Sequence, residues 1–366
     1  MKISKIAIFL SDLGGGGAEK VMLNLADGFI ARNLAVDLVL VRKTGAYISQ
    51  INPKLNLIDL QGKSLSRSLP LLIRYLKQEQ PSVLLSALED TNIVAIFAKW
   101  LANVGTKVTV TVHNTLSQES IHANDLKRKL VPYLVPWLYL LADNVVAVSH
   151  GVAQDLIKLG LSKHKINAVY NPIVTPDLET KLQQSLEHPW FSSDEPPVIM
   201  GVGRLDKQKD FPTLIRAFAE VRKRIPAKLI ILGEGDEKSN LQSLIDKLGI
   251  KEDVLLPGFV QNPYVYMQQA NIVVLSSAWE GFGNVLVEAM AAGTPVVSTD
   301  CPCGPAEILA DGKYGKLVSV ADVNGMAKAI YQTLNEVPNT DKLIRRASEF
   351  SQEKAVTKYI ELFNDA

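Results

Sequence analysis

The densest cluster of side chains able to do chemistry is the stretch WEGFGNVLVEAMAAG, Trp279 to Gly293. Glu280 sits in a glycine-flanked loop, and from Gly283 runs a helical segment on which Asn284 and Glu288, four apart, share one face. Val285, Leu286, Val287, Ala289, Met290, Ala291 and Ala292 make that helix apolar nearly all round, which predicts burial. A buried carboxylate is costly unless it accepts hydrogen bonds, so Glu288 requires a partner. The hydroxyls of a ribose would serve, and so would a salt bridge to Arg204 or Lys209. Glu280, beside Gly281 and Gly283, would face a sugar whose own hydroxyls meet backbone N–H groups at the helix start.

A second constellation is GVGRLDKQKDF, Gly201 to Phe211. It puts Arg204 and Lys209 on one loop at a strand's carboxyl end, a planar fork and a point charge suited to a diphosphate, although a solvated basic loop has the same composition. Near the N-terminus four glycines, Gly14 to Gly17, follow a strand-like run and precede an Ala-Glu-Lys helix start. Gly15, Gly16 and Gly17 there would let the backbone approach a phosphate or sugar at a helix N-terminus, or would form no more than a tight turn. A dinucleotide fingerprint fails, because the third glycine position holds Glu19 in the first loop and Asp206 in the second. His113 ends the run Val108–Val112 and precedes Asn114, which directs it to the ligand edge of a sheet. The sequence has no Asp-any-Asp triplet and no His, Asp or Glu cluster with ligand spacing, so no metal is expected.

Short β-branched runs alternating with helical-period segments describe the scaffold that must hold these residues: parallel sheets built from strand-helix-strand units. Ile3–Leu10, Val36–Val41, Val83–Ala87, Val108–Val112 and Val145–Val148 read as strands of a first sheet, with helical patterns at Ala18–Ala31, Ser66–Gln78, Asn92–Leu101 and Asn124–Leu141. The rhythm breaks over residues 171–197, where Pro172, Pro176, Pro189, Pro196 and Pro197 mark a linker and an irregular segment. A second series follows, with strands Val198–Val202, Lys228–Leu232, Val254–Leu256, Ile272–Leu275 and Pro295–Ser298. The expected fold class is α/β, two doubly wound Rossmann-like domains facing a central crevice at the carboxyl ends of their strands. Their expected bounds are residues 1–172, onto which a C-terminal helix near 350–366 packs back, and residues 173–349.

The glycine loop, GVGRLDKQKDF, the GEGDE turn from Gly233, PGFV from Pro257, and Glu280 and Glu288 with seven residues between them occur in this order along nearly the whole chain. Together they resemble the family four retaining glycosyltransferases of the GT-B fold. VHN at Val112 and CPCGPAEIL from Cys301 resemble the subgroup that builds lipopolysaccharide, capsule and lipid-linked oligosaccharides. The resemblance implies that Arg204 and Lys209 bind the donor diphosphate, that Glu288 binds the ribose and that Glu280 contacts the donor sugar. It implies that the amides of Phe282, Gly283, Asn284, Val285 and Leu286 bracket sugar and phosphate, with Gly15, Gly16, Gly17, Gly203 and Gly281 also lining the donor. Phe259 and Val260 fall where the family holds the base, and His113 falls near the donor sugar. The family has no agreed nucleophile. The usual proposal is same-face attack helped by the departing diphosphate oxygen, so the protein supplies positive potential and positioning.

Composition bounds the reading. A chain of 366 residues with 47% apolar content exceeds one ordinary core, and a net charge of +1 with 21% charged residues argues against nucleic-acid binding and disorder. Residues 1–150 carry 16 Lys/Arg against 11 Asp/Glu, leaving 23 against 27 for the rest, so the N-terminal half is the one to face an anionic surface. Cys301 and Cys303 are too close for ordinary disulfide geometry, which fits a reducing cytoplasm. Ile6–Leu10 is too short for a signal-peptide core, and no run reaches the ~20 residues of a spanning helix.

Membrane contact would then be peripheral, at the inner face of the cytoplasmic membrane. Ser66–Gln78 sets Leu69, Leu72, Ile73 and Leu76 against Arg67, Arg74 and Lys77, and Asn124–Leu141 joins Lys127, Arg128 and Lys129 to Tyr133, Trp137 and Tyr139. Ordinary crossover helices would share both patterns. The expected enzyme moves a hexose or N-acetylhexosamine from a nucleotide sugar, a UDP-sugar, to a cell-envelope glycan or lipid-linked acceptor without a cofactor. A non-catalytic nucleotide-binding scaffold and a GT-B-like epimerase or phosphorylase are the competing readings, the phosphorylase requiring a Lys-bound pyridoxal group.

Overall fold

The computed structural model describes residues 3–123, 126–192 and 194–365, with the backbone alone at 126–128 and 365. The expectations for Asn124 and for the side chains of Lys127 and Arg128 lie outside the described residues. Two compact units are present, Met1–Ile173 with Ser351–Ala366, and Val174–Phe350.

In unit 1 the strands β1 (Lys5–Leu10), β2 (Ala35–Leu40), β3 (Asn56–Asp59), β4 (Val83–Ala87), β5 (Lys107–Val112), β6 (Asn144–Ala147) and β7 (Ile166–Ala168) pair in parallel, in the order β3-β2-β1-β4-β5-β6-β7. Helices α1 (Gly17–Ala31), α2 (Leu69–Glu79), α3 (Glu89–Ala102), α4 (Leu116–His122), α5 (Leu126–Tyr139) and α6 (His150–Lys158) cover the sheet. Covering both faces makes the central strands continuous apolar runs, as in IAIFL of β1. The order reverses between β1 and β4, which makes their carboxyl ends the switch point. The last helix, Gln352–Asp365, belongs to this unit and rests Tyr359 and Phe363 on Phe29 of α1, with ring centroids 6.4 and 5.9 Å apart. Gly28 permits the approach, since a Cβ there would overlap Val356.

Unit 2 repeats the plan with β8 (Val198–Val202), β9 (Lys228–Leu232), β10 (Val254–Gly258), β11 (Ile272–Leu275), β12 (Val296–Thr299) and β13 (Lys316–Val318), in the order β10-β9-β8-β11-β12-β13. Its helices are α7 (Leu178–Leu182), α8 (Phe211–Arg222), α9 (Lys238–Leu248), α10 (Pro263–Gln269), α11 (Asn284–Ala291), α12 (Pro305–Leu309), α13 (Val323–Leu334) and α14 (Thr340–Ala347). Leu214, Phe218 and Ile330 pack with Ile199, Ile231 and Val274 to form its core.

Two parallel doubly wound sheets are what the strand-helix alternation predicts. The differences are local. Strands β3, β7 and β13 have no counterpart in the sequence reading, because sheet-edge strands of three or four half-exposed residues leave no apolar run. The segment expected as one helix to Leu141 is α5, ending at Tyr139 and preceded by a separate helix, α4. Segment 171–197 is not wholly irregular, since it contains α7 and a turn at Pro189–Phe191. Helix α2 buries Leu72, Tyr75 and Leu76 and leaves Arg74 and Lys77 exposed, as does the preceding turn with Arg67, so its basic stripe faces outward.

Candidate functional site

In unit 2 the switch point lies between β8 and β11, so the loops leaving these adjacent strands open side by side. The β8 loop carries Arg204 and Lys209; the β11 loop carries Ser276, Ser277 and Glu280. Backbone and side-chain hydrogen bonds join them. Gln208 Nε2 donates to Trp279 O at 2.9 Å, Ala278 N to Gln208 O at 2.8 Å and Ser276 Oγ to Lys209 O at 2.7 Å. Lys209 Nζ then lies 2.6 Å from Glu280 Oε1, and Ser277 Oγ donates to the same oxygen at 2.6 Å. The salt bridge considered for Glu288 forms at Glu280 instead, because Lys209 and Glu280 leave neighbouring strands at one edge. Arg204 points outward, its side chain 68% exposed and its Nε 3.4 Å from Asp206 Oδ2, a position from which it can reach an arriving anion.

Helix α11 is buried as its composition predicts, with Gly283 as its N-cap at φ +98°, a left-handed conformation that favours glycine. The positive end of its dipole therefore opens at the Glu280 loop. One turn in, Glu288 Oε1 accepts from Tyr264 Oη at 3.4 Å. Burial, reinforced by the Glu288 charge, pushes the Tyr264 hydroxyl well above its ordinary pKa, so it stays protonated as a donor. Glu280 N donates to Pro302 O at 3.3 Å, and Gly304 lets the Cys301–Gly304 loop press on Phe282, since a Cβ there would overlap the Phe282 carbonyl. Burial, and after it the Glu280 charge, raise the Cys301 thiol, which keeps it an inert packing group.

The remaining loops of this edge stack on the first. Gly203 N donates to Leu232 O at 3.0 Å and Gly233 N to Gly258 O at 2.8 Å. This brings Phe259, exposed at 41%, and Val260 to the edge that carries Arg204.

Unit 1 presents its own group at the carboxyl edge. The glycine loop after β1 is braced by Gly14 N donating to Asp12 Oδ1 at 3.1 Å and Tyr47 Oη to Gly15 O at 3.2 Å, with Gly16 as the N-cap of α1 and Gly17 its first residue. His113 follows β5, one strand beyond the switch pair, and its Nε2 lies 2.8 Å from Thr111 Oγ1. The Thr111 hydroxyl has one proton and gives it to Ser86 O at 2.8 Å, so it must accept from His113. That assigns the proton to Nε2 and leaves Nδ1 as an acceptor. Burial pushes the His113 pKa down to about 4, so the ring is neutral at physiological pH.

Residues 183–350 match the family model Glycosyl transferases group 1, and residues 15–176 match Glycosyltransferase Family 4. Over 361 residues the chain is 32% identical to N-acetylgalactosamine-N,N'-diacetylbacillosaminyl-diphospho-undecaprenol 4-alpha-N-acetylgalactosaminyltransferase of Campylobacter jejuni, covering 93% of this chain and 92% of that one. The chain belongs to the group 1, family 4 GT-B glycosyltransferases. It is also 32% identical over 226 residues to the lipopolysaccharide core biosynthesis glycosyltransferase LpsE of Rhizobium meliloti, 60% of this chain and 64% of that one. The crystal structure of Anabaena Alr3699/HepE in complex with UDP and glucose shares the fold, with a TM-score of 0.80, 22% identity and coverage of 99% and 100% of the two chains.

In this glycosyltransferase Arg204, Lys209, Gly203, Glu280, Gly281, Phe282, Gly283 and the first turn of α11 come together at one edge of unit 2, with Glu288 one turn deeper. Gly15, Gly16, Gly17 and His113 belong to unit 1. Four further residues hold the others in place: Ser277, Gln208, Tyr264 and Thr111. Only Thr111 left a usable signal, since two residues before His113 along a strand is the same face.

Proposed function

We propose that this glycosyltransferase takes a hexose or N-acetylhexosamine from a UDP-sugar held by unit 2 and delivers it, with retention, to a cell-envelope or lipid-linked glycan. The observation that carries the reading is the Lys209–Glu280 pair beside the N-terminus of a buried helix at the switch point. As the diphosphate leaves, its charge meets the exposed fork of Arg204, the ammonium of Lys209 and the α11 dipole, which together supply the electrostatic stabilisation without a metal. Glu288, steadied by Tyr264, accepts the ribose hydroxyls, and Phe259 and Val260 border the base.

Glu280 Oε1 already holds an ammonium and a hydroxyl, which makes it a poor nucleophile. This favours same-face attack, with a leaving-group oxygen taking the acceptor proton, over a glycosyl-enzyme intermediate. His113, neutral and with Nδ1 as acceptor, suits a sugar hydroxyl at the carboxyl edge of unit 1. A lipid-linked or lipopolysaccharide acceptor is supported by the substrates that the names of the Campylobacter and Rhizobium relatives state. Such an acceptor puts the enzyme at the inner face of the cytoplasmic membrane, in peripheral contact with it.

The test is a panel of UDP- and GDP-sugars incubated first with enzyme alone to read nucleotide release, and then with an acceptor glycan, followed by NMR of the anomeric proton of the transferred product. Slow UDP release from one UDP-hexose or UDP-N-acetylhexosamine and an unchanged anomeric configuration are expected. Absence of nucleotide release from every donor overturns the donor reading, and an inverted product overturns retention.

A further inference from the structure

All of unit 1's exposed large apolar side chains among the described residues fall between Trp100 and Leu141, whereas those of unit 2, such as Leu248, Val320 and Val337, are scattered along the chain. On α5, Leu130, Tyr133, Leu134 and Trp137 recur at steps of three and four and cover an arc of about 100°. Val135 and Tyr139, with Pro132 and Pro136, form the opposite, buried face. The exposed apolar run continues past the helix at Leu140 and Leu141, and Trp100 at the end of α3, a helix that packs on α5, is exposed as well. Trp137 is 74% exposed, Tyr133 69% and Trp100 67%. A helix with one buried face ordinarily turns polar residues outward, and a contiguous outward apolar ridge marks an interaction surface.

We propose that this ridge is the enzyme's membrane-docking element, laying α5 in the plane of an anionic bilayer with Tyr133 and Trp137 at head-group depth. The proposal rests on the reading that the acceptor is lipid-linked. Trp and Tyr favour the interface between hydrocarbon and water, and leucines beside them supply the buried area. From Leu126 to Ala142 the sequence contains Lys127, Arg128 and Lys129 and no carboxylate, a charge pattern complementary to anionic head groups. At 14 residues α5 is about 21 Å long, against the ~30 Å of a hydrocarbon core, and no helix among the described residues is long and apolar enough to cross a membrane. The helix therefore lies along the surface. Because the ridge binds mainly by apolar burial, salt weakens attachment without abolishing it, unlike a purely basic patch. The segment belongs to unit 1, between β5, which His113 follows, and β6.

The experiment is co-sedimentation of the full chain with phosphatidylglycerol/phosphatidylcholine vesicles, alongside Trp emission and quenching by brominated acyl chains. The comparison is a Leu134→Ser/Trp137→Ser variant, both positions being exposed. Wild type should bind in high salt and show a blue shift that Trp137→Phe removes, while the double variant loses about tenfold or more in partitioning. UDP release from the active donor without acceptor should be equal in both, which separates docking from folding and donor binding. If wild type docks as described but releases nucleotide from no donor, the docking element stands and the donor reading falls. Equal vesicle binding by the double variant, emission unaffected by vesicles, or a wild-type dimer that the double variant dissolves would overturn the proposal, the last by assigning the ridge to a second copy.

Discussion

Replacing Lys209 by Met keeps the aliphatic stem and removes the ammonium that lies 2.6 Å from Glu280 Oε1. At an effective dielectric constant of about 20 the gross attraction at that distance is about 6 kcal/mol, and desolvation of the two groups cancels part of it. Breaking a buried pair by removing one partner costs about 3–5 kcal/mol. The Lys209 and Glu280 side chains are 19% and 8% exposed, and Ser277 keeps its hydrogen bond to the carboxylate, so the lower end applies, about 3 kcal/mol. At roughly 2–4 °C per kcal/mol the unit 2 transition should fall by about 6–12 °C. A double-mutant cycle with Glu280→Gln, followed by urea and thermal unfolding, isolates the pair, and a coupling of about 2 kcal/mol or more is expected. Coupling below about 0.5 kcal/mol would equal that of a solvent-exposed ion pair and refute the argument that the two loops are locked together by this contact.

Arg204→Ala should lower turnover by about 2 kcal/mol, because charge builds on the diphosphate as it leaves, while stability changes by less than about 0.5 kcal/mol at so exposed a position. Full turnover in that variant contradicts its assignment to the leaving group. The neutral His113, with its pKa down at about 4 against an ordinary 6.5, makes the unfolded state bind more protons than the folded state between those values. Stability is therefore complete above about pH 6.5 and falls as pH drops toward 4, by about 2.5 kcal/mol at pH 4.5 relative to His113→Asn. Parallel pH profiles for wild type and variant, read from urea midpoints, would show that His113 is not held neutral. Activity should persist in excess EDTA, and a complete loss that Mg²⁺ restores would show that the cations of the β8 loop do not suffice.

Glu280, Glu288, Arg204 and Lys209 are legible as candidates because residue type, glycine flanks and position after strand-like runs are local properties of the sequence. Their partners were not. Lys209 meets Glu280 only because β8 lies beside β11, and strand order is set by long-range packing rather than by any pattern within the two segments. Tyr264 reaches Glu288 across the contact of α10 with α11 for the same reason. The central strands were readable from apolar runs such as KLIIL of β9, whereas β3, β7 and β13 sit at sheet edges too short and too wet to show one. In α5 the sequence groups Tyr139 with Tyr133 and Trp137 as interfacial aromatics, but Tyr139 is buried with Val135, because long-range packing decides which face meets the unit.

Titration calorimetry of UDP tests the central claim most directly, that the nucleotide sugar is held at the β8–β11 edge of unit 2. UDP should bind the wild-type chain, and Glu288→Gln should weaken it by about tenfold or more while Arg67→Gln, on the exposed face of unit 1, leaves it unchanged. Equal UDP affinity in wild type and Glu288→Gln, with both chains folded, would contradict the account.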